Sequence, residues 1–193
     1  MSSLARPTLV VPPGATDTHM HIYDTGIPAL PGAPALPGHF PVEAYRAVQQ
    51  RMGLTRVVVV QPNAYGADNR VTLEAIAALG PSARGVGVVR PDVSDAELER
   101  LTAGGIRAIR FFGLPGGVLS WDAMDALAAR VQPFGWSAII QLDGRTMPEH
   151  EAQIARLPGR SPSTIPASSS SPSPPTTRRS SRSCGWWTPA AAG

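Results

Sequence analysis

Lysine is absent from this sequence: all seventeen cations among its 193 residues are arginines. That bias fits a GC-rich gene, and a net charge of +3, with no basic run in the first 157 residues, argues against a nucleic-acid surface. Cysteine is nearly absent, and the lone Cys184 excludes an internal disulfide and fits a reducing cytoplasm. Long apolar runs are missing as well. None approaches the roughly 20 residues that span a bilayer. Residues 1–13 have no charged stretch followed by an apolar one, as a secretory leader would. The expectation is a cytoplasmic protein without nucleic-acid or membrane partners.

What is present is a repeating pattern. A 42% hydrophobic content over this length suffices for one domain with a sizeable core. Short runs rich in Val and Ile predict strands over 15–23, 55–61, 84–89, 106–112 and 137–143. Amphipathic stretches predict helices over 41–53, 69–80, 94–105, 120–135 and 147–159. Ser94, three residues before Glu97, has the spacing of a capping box. Gly53, Gly80, Gly104 and Gly135 stand where helices should stop. Strand-helix alternation implies parallel βαβ units.

Such units build either an open doubly wound sheet or part of a (βα)₈ barrel. No GxGxxG opens the first helix, which disfavours a dinucleotide-binding sheet. Polar residues gather instead at the C-terminal ends of the strands, where barrel enzymes place their sites: His19, His21, Gln61, Asn63, Tyr65, Arg110, Gln141 and Asp143. The predicted class is α/β, an incomplete TIM-type (βα)₈ barrel of about five units. Eight units need about 250 residues.

After Arg160 the text changes to RSPSTIPASSSSPSPPTTRRSSRS, almost all Ser, Pro, Thr and Arg. We expect an N-terminal extension over 1–13, a partial barrel over 14–158 and a tail over 159–193. The tail is either disordered low complexity or the product of a shifted reading frame near residue 159. Joining each third codon base to the next two lets residues 160–170 read VAVDHPGKFL, an apolar strand ending in Asp-His. Trp has a single codon, so Trp186-Trp187-Thr188 must then read Val-Asp.

The sharpest chemical signal is GATDTHMHIYD, residues 14–24. On a strand, residues i and i+2 point the same way. His19 and His21 would therefore look into one space, where they could hold a metal or a polar substrate. Two imidazoles on an exposed edge are the bland alternative. Arg110 lies inside an apolar strand and shares a face with Ala108, opposite Arg107 and Ile109. Burying it is costly unless it meets an anion, so it is the candidate clamp for a substrate carboxylate, with a structural ion pair as the alternative. Asn63, Tyr65 and Asn69 could hydrogen-bond a polyhydroxylated substrate; turn-making explains them too. Gln141 and Asp143 end the fifth strand and are expected at the mouth. Asp17 is expected to fix loop geometry. No role is assigned to His39 or His150, and Trp121 and Trp136 read as packing residues.

The stretches GATDTHMHIYD, IPALPGAPALPG (27–38), VVVVQPNAYGADN (57–69), GIRAIRFF (105–112) and GWSAIIQLDG (135–144) resemble the amidohydrolase superfamily. More narrowly, they are similar to its branch of galactarolactone isomerases and pyrone-dicarboxylate lactonases. The resemblance covers roughly residues 12–158. It implies a lactone-processing enzyme that isomerises or hydrolyses a small sugar-acid or dicarboxylate lactone. It implies no cofactor, with His19 and His21 as donors to the lactone carbonyl or a carboxylate, and a base from strand eight. In metal-dependent members the first-strand histidines bind a divalent ion and the fifth strand supplies a histidine. Here that strand ends in Gln141-Leu142-Asp143, and Gln is a poor Zn²⁺ ligand. A Zn²⁺ amidohydrolase or decarboxylase using His19 and His21 is the alternative. A non-catalytic truncated fragment that associates through its open edge is another. The chain as written is expected to be inactive.

Overall fold

The computed structural model describes residues 7–158 and the strand Ser163–Ala167. Six strands form one parallel sheet in sequential order: β1 Thr16–Met20, β2 Arg56–Val60, β3 Ala83–Gly87, β4 Ile106–Phe112, β5 Ser137–Asp143 and β6 Ser163–Ala167. Helices α1 Val42–Met52, α2 Arg70–Leu79, α3 Asp95–Ala103, α4 Met124–Val131 and α5 Met147–Arg156 follow the first five strands in turn. This is the βα succession of a partial barrel, as the sequence pattern predicts.

Two differences matter. The predicted helix over 120–135 is three pieces: 3-10 turns at 121–123 and 132–134 flank α4. Pro133 in the second turn has no amide hydrogen to continue the α-helical ladder. The second difference is β6, a strand within the segment expected to be either a disordered tail or the product of a shifted frame. It runs parallel to β5, Ile139 opposite Ser163 through Asp143 opposite Ala167. Its Pro166 cannot donate to a ladder and suits an outer strand. The remainder of the expected tail, 159–162 and 168–193, and residues 1–6 of the extension lie outside the described residues.

The two faces of the sheet bury different things. Met20, Val57, Val59, Ile109, Phe111, Ala138, Ile140 and Leu142 face the helices and pack with Ala75, Ile76, Leu98, Leu101, Leu127 and Val131. Val60, Val86, Ala108 and Ile139 form a small cluster on the inner face, made of strand residues alone. Ser94 Oγ accepts the Glu97 backbone N–H at 3.2 Å and starts α3. Gly53 and Gly135 end their helical turns in the left-handed region, at φ 72° in both cases. Among the described residues, no helix is long and apolar enough to cross a membrane.

Candidate active site

The mouth begins at β1, which carries a bulge. Asp17 lies opposite Val57 and Met20 opposite Val59, so three steps on β1 match two on β2. Met20 and Ile22 enter the helix-side core, and the alternating His19 and His21 therefore turn to the inner face. There the two rings meet edge to face, with Nε2 atoms 3.3 Å apart.

Hydrogen bonding fixes which nitrogens carry protons. His21 Nδ1 lies 2.7 Å from the Val60 carbonyl, which can only accept, so Nδ1 is the protonated nitrogen. Burial above all, with the Arg110 charge adding, lowers the His21 pKa to about 4. The ring is thus neutral at pH 7, its Nε2 is a lone pair, and His19 Nε2–H donates to it. His19 is likewise pushed below the ordinary histidine value, chiefly by burial and then by Arg110. Its Nδ1 is buried without a hydrogen-bond partner among the described residues.

Arg110 is the charge of this mouth. Only 5% exposed, it projects from β4 on the inner face. Its NH1 donates to the Gln61 carbonyl at 2.6 Å and its NH2 to Gln141 Oε1 at 2.8 Å. Nε is buried and unpartnered among the described residues, and the guanidinium lies 5.0 Å from the centre of the Phe112 ring. Burial lowers its pKa to about 10, opposed by Tyr23, and it stays charged at neutral pH. Both partners are neutral oxygens. The ion-pair alternative thus finds no carboxylate among the described residues, and a buried positive charge faces two neutral imidazoles.

The other candidates fall elsewhere. The Tyr65 hydroxyl donates to the Asp24 carbonyl at 2.9 Å and accepts the Asp24 N–H at 2.8 Å. It thereby pins the long 24–39 loop over the end of β2. Asn69 is tied to the Val88 backbone in both directions, at 2.8 and 3.0 Å. Asn63 is buried in the 3-10 turn beside them. Gln141 holds Arg110, and Asp143 forms an ion pair with Arg145 that lowers its pKa to about 2. Asp17 does fix local geometry, accepting the His19 backbone N–H at 3.1 Å. Trp136 is buried and donates to Thr102 Oγ1 at 2.8 Å. Trp121 stacks on His150 with ring centres 3.7 Å apart. His39 faces Asp24 at 3.7 Å.

Sequence reading missed one neighbour of the pair and misjudged another. Tyr23 packs edge-on against His21 at 5.9 Å between ring centres, and its raised pKa, due to burial, keeps it a neutral phenol. The same i, i+2 rule that linked His19 to His21 reaches Tyr23 one step later. Gln61 was noticed at a strand end but is wholly internal: its amide donates to the Gly66 and Asp68 carbonyls and accepts from Thr72.

A separate cleft of about 400 Å³ lies among Leu30, Tyr65, Asn69, Val89, Arg90 and Val93. Two of its acids, Asp68 and Glu97, are already paired with Arg70 and Arg100. The imidazole pair and Arg110 are not in its wall.

Two Nε2 atoms 3.3 Å apart would also suit neighbouring ligands of a tetrahedral Zn²⁺ with bonds of about 2.0–2.1 Å. A zinc site needs further protein donors, and no group of three or more His, Cys, Asp or Glu able to hold a metal occurs among the described residues. The adjacent Arg110 charge also repels a dication. The described residues do not by themselves complete a metal site.

A parallel sheet in sequential strand order with a helix after each of the first five strands, and its polar cluster at the strands' C-terminal ends, is the architecture of part of a (βα)₈ barrel. The chain belongs to the amidohydrolase family, which its residues 16–161 match. It is 36% identical over 168 residues to the D-galactarolactone isomerase of Agrobacterium fabrum, covering 83% of this chain and 58% of that protein. It is 33% identical over 149 residues to the 2-pyrone-4,6-dicarboxylate hydrolase of Comamonas testosteroni, covering 75% and 49% respectively. A solved apo structure from Agrobacterium tumefaciens superposes with a TM-score of 0.75 at 36% identity, covering 80% of this chain and 57% of that one. The chain spans about half the length of the curated relatives it matches.

Proposed function

We propose that this chain carries the carbonyl- and carboxylate-binding part of a lactone-processing site. The substrate class is a small sugar-acid or dicarboxylate lactone, the kind named for its relatives. One observation carries the reading. Arg110 is buried and charged, and among the described residues it is bonded only to neutral oxygens, beside two imidazoles held neutral. Such a mouth attracts an anion, and the described residues offer it no competing carboxylate.

The hydrogen-bond order suggests how the groups act. His21 is an orienter whose Nδ1–H stays on Val60. His19 Nε2–H is the transferable donor: a lactone carbonyl oxygen can displace His21 as its acceptor. Arg110 supplies positive charge and a free Nε–H to the substrate carboxylate, with Gln141 bracing the guanidinium. In hydrolysis a water adds to the carbonyl carbon, and in isomerisation one of the substrate's own hydroxyls does so; in both, the ring acyl C–O bond then breaks and the departing ring oxygen takes up a proton. Either nucleophile must lose a proton to a base. Asp17 and Asp143 are both engaged, and we expect the described groups to bind a lactone without turning it over. Tyr65 and Asn69 serve the framework through their bonds to the Asp24 and Val88 backbone, and Asn63 is buried in the turn beside them.

Calorimetry with 2-pyrone-4,6-dicarboxylate and D-galactarolactone tests this. Binding of either one, weakened roughly 30-fold or more in Arg110→Met, is the expected result. Equal binding by both forms would remove the clamp. Metal analysis addresses the zinc alternative: substoichiometric zinc is expected, and stoichiometric zinc retained through dialysis would favour it.

A further inference from the structure

We propose that Asp17 and Tyr45 form a positioning pair that holds the β1 bulge and so keeps the His19 imidazole turned into the mouth. In an unbulged strand Asp17 and His19, two residues apart, would share a face. The extra residue reverses that parity. Asp17 lies opposite Val57, a residue of the helix-side core. Its Oδ2 accepts the Tyr45 hydroxyl of α1 at 3.1 Å, while its Oδ1 accepts the His19 backbone N–H at 3.1 Å. One carboxylate thus joins the helix to the first imidazole-bearing residue across the irregularity. Burial and the Asp17 charge both raise the Tyr45 pKa, so the hydroxyl remains a donor at neutral pH.

The bulge has a competitor. A slip of one residue would exchange the faces of Met20 and His19, sending the imidazole toward the apolar layer. Apolar burial of Met20 and Ile22 opposes the slip, but it acts on every side chain of the strand alike. The Asp17 contacts act at the irregularity itself, on the amide of the residue whose ring must face inward. Tyr45 holds the carboxylate from outside, packed against the helix-side core. Neither residue touches the ligand space; both act through His19.

The effect on ligand rests on reading the mouth as the lactone site, whereas the effect on the imidazoles does not. The test uses the full chain and compares wild type, Tyr45→Phe, Asp17→Asn and Asp17→Ala. Imidazole nitrogen NMR reads the His19–His21 bond, exchange of the His19 amide reads the bulge, and thermal melting reads stability. Tyr45→Phe should speed exchange of that amide roughly 5- to 30-fold. Asp17→Ala should abolish the shared Nε2–H signature, and Asp17→Asn, which keeps an acceptor oxygen, should restore it. Wild-type imidazole spectra in both Asp17→Ala and Tyr45→Phe, with only the melting point lowered, would overturn the pair. Should Asp17→Ala not fold, the Tyr45→Phe exchange rate decides alone. Failure of wild type to bind 2-pyrone-4,6-dicarboxylate, with the spectra responding as described, would sink the lactone reading and leave the positioning pair standing.

Discussion

Toward the helices, the first five strands present Met20, Val57, Val59, Ala83, Ile109, Ile140 and Leu142 to an apolar layer. Toward the inner side, the same strands offer the small cluster of Val60, Val86, Ala108 and Ile139 and, beyond it, His19, His21 and Arg110. The outer face gains stability from apolar burial in one packed layer. Inside, a buried guanidinium and two neutral imidazoles are kept, groups that cost stability where they sit. The contrast separates what folds the chain from what it can do. Substitutions on the two faces should therefore diverge.

The largest effect belongs outside. Ile140 is fully buried against the helices, and Ile140→Ala should cost about 2–5 kcal/mol in urea unfolding. A pH titration separates the faces next. The His21 pKa is about 4 when folded against 6.5 when free. Its contribution is fully present above 6.5 and is lost as pH falls toward 4, where the unfolded chain takes up a proton that the folded one refuses. That should remove up to about 3 kcal/mol across this window. His21→Gln should flatten the dependence. Ser94→Ala, which removes the α3 cap, should cost about 1 kcal/mol by thermal melting. The smallest change is the most telling: Arg110→Met should leave stability within about 1 kcal/mol of wild type, or raise it, while binding is lost. A large destabilisation there would make Arg110 a framework residue and erase the contrast.

Much of this was readable from the chain. Strands β2 to β5 announce themselves as short runs carrying Val and Ile, β1 shows itself by the alternation around His19 and His21, and the Ala108–Arg110 parity follows from alternation alone. The sixth does not: STIPA has one aliphatic residue and a proline, and its pairing with β5 is a backbone matter that composition does not register. At the site, HxH spacing foretells the meeting of His19 and His21. Periodicity cannot show a bulge, however, and so it misses that Asp17 and His19 face opposite ways. Tyr65 and Asn69 look like ligand residues because they follow a strand. Their partners are the backbone of Asp24 and Val88, 41 and 19 residues away in sequence. Local pattern does not carry such contacts.

The central claim is that a carboxylate-bearing lactone enters between Arg110 and the imidazole pair, taking the His19 proton as its hydrogen bond. Imidazole nitrogen NMR during titration with 2-pyrone-4,6-dicarboxylate tests it most directly. The His19 Nε2–H resonance should move on binding while His21 Nδ1–H stays with Val60. Saturable binding that leaves both rings unchanged would contradict the account.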